Sequence, residues 1–120
     1  MIEGFEDHTQ PLTDYERDIL LPVVVKGLNR KVGEENSITS KEIIRKLSGL
    51  GYKISGARLR KIVNHIRIKG LIKCLMASSK GYWIESDVQK VMDYILSLEQ
   101  RAESIQNVAE SLKAQLYYNN

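Results

Sequence analysis

From Val88 to Leu116 the apolar residues Val88, Val91, Ile95, Leu98, Ala102, Ile105, Ala109, Leu112 and Leu116 recur at spacings that alternate between three and four. That pattern is a coiled-coil seam carried on one long helix. A helix of about 30 residues spans roughly 45 Å. A chain of 120 residues builds one small domain, which buries a limited share of its surface and cannot cover such a helix. The seam beyond Leu98 therefore predicts a second chain. The expected homodimer interface is Ile95, Leu98, Ala102, Ile105, Ala109, Leu112 and Leu116, with the two alanines allowing close helix approach. The flanking positions are mixed (Met92, Tyr94, Glu99, Arg101, Gln106, Val108, Lys113), so they do not encode strand direction. A helix folded back over Tyr15–Val32 is the competing arrangement. We expect the first turns to pack on their own domain and the remainder to pair across the dimer.

The charge is segregated along the chain. Residues 43–84 contain ten lysines and arginines and no acid, whereas residues 1–42 carry nine acids against five basic residues and residues 85–120 six against three. The net charge of +3 hides this division. A solvated surface with scattered lysines would have acids interspersed. An acid-free basic centre between acidic ends is the footprint of a face that binds a polyanion.

Capping signals mark the helices. Thr13-Asp-Tyr-Glu16 and Thr39-Ser-Lys-Glu42 are capping boxes, each able to satisfy two free N–H groups at a helix start. The first helix is expected from Thr13 towards Gly33, with Tyr15, Ile19, Val23, Leu28 and Val32 as its apolar stripe and a kink at Pro22. Ser37-Ile38 reads as a short extended piece. The second helix runs through Ile43, Ile44 and Leu47 to Leu50 and stops at Gly51. Ser55 caps a third, Gly56 to Lys69, which presents Leu59, Ile62, Val63 and Ile66 inward and stops at Gly70. Leu71–Ala77 and Tyr82–Ile84, joined by Ser78-Ser-Lys-Gly81, read as a hairpin. Ser86 caps the fourth helix, which reaches about Leu116. There is no internal repeat.

The order helix, short strand, helix, turn, helix, hairpin, helix resembles the winged helix-turn-helix proteins of small bacterial and phage type. The resemblance covers residues 13–85. It is carried by Ile38-Thr39-Ser-Lys-Glu-Ile-Ile, by Ser55-Gly-Ala-Arg-Leu-Arg-Lys-Ile-Val-Asn, and by Gly70-Leu-Ile with Lys80-Gly81-Tyr82. The connection Gly49–Ile54 is longer than a tight turn. The fold class expected is mainly α (α+β): a flexible N-terminal tail at 1–12, a winged helix-turn-helix domain at 13–85, and a coiled-coil-like dimerisation helix at 86–117.

The resemblance implies that the third helix enters the major groove of double-stranded DNA. With its apolar residues inward, its opposite face carries Ala57, Lys61, Asn64 and Ile68, flanked by Arg60. Arginine can pair with guanine and asparagine with adenine through two hydrogen bonds each. Ala57, Arg60, Lys61 and Asn64 are the expected base readers. Lys53, Ser55, Arg58, His65, Arg67, Lys69, Lys73 and Lys80 are expected at phosphates, where contacts position without specifying. Trp83 is expected to pack against the C-terminal helix or the dimer partner, with base stacking the lesser alternative.

No catalytic constellation is legible. His8 and His65 stand apart, Cys74 is the single cysteine, and no phosphate-binding glycine loop, nucleophile motif or metal-ligand spacing occurs. The expectation is a non-enzyme with no cofactor, no metal and no evident small-molecule ligand. One cysteine, a polar N-terminus unlike a signal peptide and no membrane-length apolar run predict a cytoplasmic protein. The expected role is sequence-specific DNA binding as a homodimer, in transcription regulation or in phage or plasmid replication or maintenance. The alternative is a protein-interaction adaptor with a winged-helix module and a helical scaffold.

Overall fold

A computed structural model describes residues 10–118. Residues 1–9 of the expected tail, His8 included, lie outside the described residues. The chain divides into two compact units after Ser86.

The first helix opens on the expected capping box. The Thr13 hydroxyl accepts the Glu16 N–H at 3.2 Å, and the Glu16 carboxylate accepts the Thr13 N–H at 2.8 Å. The helix then widens into a π-turn over Glu16–Leu20 before it continues as α1, Leu21–Leu28. Pro22 explains the widening. It has no N–H to donate, and in a regular helix its ring would crowd the carbonyl of Asp18. The wide turn, in which the Leu21 N–H reaches the Glu16 carbonyl, absorbs that conflict. It also resets the helix face. The buried residues are Glu16, Leu20, Val24 and Leu28, one every four positions, whereas Tyr15 and Ile19 of the expected stripe are exposed. The helix ends at Leu28, short of the expected Gly33.

Helix α2, Ser40–Gly49, starts on the second capping box. Its Glu42 carboxyl is held below the ordinary carboxylate range, first by the Thr39 backbone N–H and then by the Thr39 hydroxyl. Helix α3, Gly56–Lys69, starts at Ser55, whose hydroxyl accepts the Arg58 N–H at 3.1 Å. It ends at Gly70 in the left-handed conformation that glycine adopts without steric cost. Leu20, Leu28, Leu59, Ile62 and Ile66 are the largest fully enclosed side chains, so α3 lies at the centre of the core. The four residues expected to face inward from α3 do so.

Strand β1, Leu75–Ser78, pairs antiparallel with β2, Gly81–Ile84, with Leu75 opposite Ile84 and Met76 opposite Trp83. β1 is shorter than expected, because residues before it form a turn in which Cys74 takes a left-handed conformation at φ 57°. Cys74 thus sits in a turn, half-buried, and not on a strand. The other edge of β2 is held by Ile38, whose N–H and carbonyl both bond Tyr82, and by Val32, which bridges to Ile84. Ser37-Ile38 is therefore a third, one-residue pairing partner. Gly81 makes it possible: its φ is 114°, and a Cβ there would collide with the Ile38 carbonyl.

The second unit is helix α4, Val88–Tyr118. Its cap is Asp87 and not Ser86, since the Asp87 carboxylate accepts the N–H groups of Gln89 and Lys90. Val91, Tyr94 and Ala109 are half-buried and every other residue of α4 is exposed. Val88 is 71% exposed.

The molecule is thus mainly helical, with a small two-stranded antiparallel sheet and a long C-terminal helix. No helix among the described residues is long and apolar enough to cross a membrane.

Candidate nucleic-acid interface

The candidate site is the surface of α3 turned away from the core, with the cations before and after it. An α-helix rotates by about 100° per residue, so burying Leu59, Ile62, Val63 and Ile66 sends Lys61, Asn64 and Ile68 to the far side. A second contact changes that surface. The start of the first helix lies along one flank of α3 and brings Glu16 to it. Lys61 Nζ donates to Glu16 Oε1 at 2.8 Å, and Arg58 Nε donates to Glu16 Oε2 at 2.9 Å. The Arg58 guanidinium also stacks over the Tyr15 ring, 5.4 Å from its centre, a favourable cation–π arrangement.

This corrects the expected position of Lys61. It is 8% exposed and faces a carboxylate, not solvent. Burial alone would push the Glu16 carboxyl up. That effect is outweighed by the Lys61 hydrogen bond, the Thr13 backbone N–H and the Arg58 hydrogen bond, and the carboxyl falls to about 2. Glu16 is therefore ionised at neutral pH and neutralises much of the charge on this flank.

Gln10, Pro11 and Leu12 lie against the same flank. With Lys61, Asn64, His65, Ile68 and Lys69 they line a shallow hollow. These three residues of the expected tail are thus structured, and Leu12 packs half-buried against the core. Ile68 remains 72% exposed beside them.

The side of α3 away from this flank carries Gly56, Arg60 and Arg67. Arg60 is exposed, and Ala57 and Asn64 are half-buried. Arg67 is half-buried, and its Nε donates to the Leu75 carbonyl at 3.1 Å. Of the residues expected at phosphates, Lys53, Lys69 and Lys73 are exposed and have no acid within residues 43–84 to meet. Ser55 is occupied as the α3 cap. Lys80 at the hairpin tip approaches Glu34 at 3.5 Å, a weak exposed pair. Arg45 and Lys46 on α2 are exposed as well. Trp83 is buried, and its Nε1–H donates to Glu85, so base stacking by Trp83 is ruled out in this arrangement.

Glu16 joins the candidate site without having been expected there. Its capping role was legible, but its side chain also joins the buried row Glu16, Leu20, Val24 and Leu28. An acid at an apolar-row position was the available signal, and the π-turn hid the row. Among the described residues no group of three or more His, Cys, Asp and Glu side chains is placed to hold a metal ion.

Comparison with known protein families, with curated proteins and with solved structures finds no match.

Proposed function

We propose that the protein is a winged helix-turn-helix module that binds double-stranded DNA sequence-specifically as a homodimer. The observation that carries this reading is the cationic segment of residues 43–84, which contains no acid and keeps Arg60, Lys53, Lys69 and Lys73 exposed, while Glu16 neutralises Lys61 and Arg58. The element order supports the module: three helices, the Ile38 pairing and the β1–β2 hairpin as a short wing. Arg60, Asn64 and Ala57 are the base readers. Lys53, Lys69 and Lys73 hold phosphates, with Lys80 a minor contributor from the wing tip. The seam of α4 pairs two copies, so that two α3 helices meet a two-fold symmetric site. Regulation of transcription, or replication and maintenance of a phage or plasmid, is the setting such a module fits.

Selection of bound sequences from a random duplex pool tests the proposal. The expected product is an enriched inverted repeat whose half-sites lie about one helical turn apart. A pool that binds without enrichment contradicts sequence-specific reading.

A second reading, a protein-interaction adaptor, draws on a separate feature. An apolar groove with a basic rim lies between α1 and α2.

A further inference from the structure

The α1–α2 groove encloses about 570 Å³. Its floor is the outer edge of the core at Val24, Leu28, Ile43 and Leu47. Leu50, 67% exposed, stands at its mouth. Lys26, Arg30, Lys31 and Lys46 form its rim, and no acid among the described residues lines it. Gly27 leaves a gap in the α1 wall, since a Cβ there would meet nothing within 4 Å. A groove of this kind accepts an amphipathic helix through its apolar side chains, and its rim selects acidic flanks.

Helix α4 has the matching surface, and the coiled-coil seam does not use it. Met92 and Leu96 are exposed and one turn apart. Helical geometry places them about a quarter turn from the seam, with Glu99 and Glu103 following on the same face. Pairing along the seam would leave this apolar step bare, which is costly to maintain in water.

We infer that the face Met92–Leu96–Glu99–Glu103 of a second copy docks in the α1–α2 groove, with its carboxylates against the lysine and arginine rim. This inference rests on the homodimer reading and adds a second interface to it. It also sets the strand direction that the seam leaves open. Met92 and the end of α4 are separated by roughly 39 Å along the helix. A parallel pair brings the start of one α4 beside the other copy's domain, and an antiparallel pair brings its end.

Single-cysteine chains test this. In a Cys74→Ser background, one full-length chain carries Gly27→Cys and another Leu96→Cys. Neither position is enclosed, so both variants should fold. The chains are mixed, allowed to exchange, and mildly oxidised, and their mass is followed by sedimentation. The inference expects a disulfide-linked heterodimer between positions 27 and 96, lost when Lys26→Glu and Arg30→Glu are added to the first chain. Dimers that give no 27–96 link overturn the groove inference and leave the homodimer standing. A link that forms only when both cysteines share one chain likewise overturns it, because the helix would then dock on its own domain. Chains that remain monomeric overturn both readings.

Discussion

At the scale of single residues, Glu16 decides which cations of α3 face outward. Its carboxyl titrates near 2 in the folded chain against about 4.3 in an unfolded one. A depressed carboxyl stabilises the fold at pH values above the unfolded pKa, and the contribution disappears as pH falls towards the folded one. The difference amounts to roughly 3 kcal/mol. Stability should therefore fall between about pH 4.5 and 2, and Glu16→Gln should flatten that part of a denaturation-versus-pH profile. The same variant leaves buried Lys61 without its anion, a loss of about 3–5 kcal/mol at neutral pH. An unchanged acid profile in Glu16→Gln would mean that the triad does not form. A second expectation concerns recognition. Asn64→Ala should relax preference at a defined base pair, worth about 1–3 kcal/mol, while Lys53→Ala should weaken all duplexes alike. Equal weakening by both variants, measured on selected and scrambled duplexes, would contradict the placement of the reading face. That Lys61 does not belong to this face could not be read from the α3 periodicity. Periodicity reports where apolar neighbours lie, and the neighbour here is a carboxylate.

At the scale of elements, the parts legible in advance were those with a local chemical cause. Both capping boxes, the Ser55 cap and the Gly70 stop depend on residues a few positions apart, and all are present. The inward face of α3 depends on a run of branched apolar side chains at helical spacing. What was misread depended on contacts or backbone adjustments that no local pattern encodes. The π-turn ahead of Pro22 shifted the face of the first helix, and the turn at Cys74 shortened β1. The Ile38–Tyr82 pairing joins residues far apart in the chain, yet it has a single vulnerable point. Gly81→Ala would force a Cβ into the Ile38 carbonyl and strain a positive φ. The expected outcome is a destabilisation of about 1–3 kcal/mol or more, seen as a lower denaturation midpoint. Faster hydrogen exchange at the Ile38 and Tyr82 amides should accompany it. A variant with unchanged midpoint and exchange would show that the hairpin edge contributes nothing to the fold.

At the scale of the whole molecule, the acid-free centre and the long apolar seam are both visible in the sequence; Lys53, Arg60, Lys69 and Lys73 of the first are exposed, whereas Lys61 is buried against Glu16. Ile105, Leu112 and Leu116 are exposed on α4, a combination that favours aggregation unless another chain covers it. Truncating one buried leucine costs roughly 2–5 kcal/mol, and a symmetric interface loses that at both copies. Leu112→Asp, which also places a charge in the seam, should convert a dimer into a folded monomer in sedimentation equilibrium and weaken DNA binding to that of a half-site. A wild-type chain that sediments as a monomer at micromolar concentration would remove the two-fold argument. The DNA-binding claim itself is tested most directly by titrating the full-length chain with duplex at a series of salt concentrations. Binding is expected at low salt, with a linear fall of log affinity against log salt at a slope of about −0.9 per phosphate neutralised. Lys53, Lys69 and Lys73 of each copy should supply most of that slope. No binding at low salt, or binding indifferent to salt, would contradict the claim.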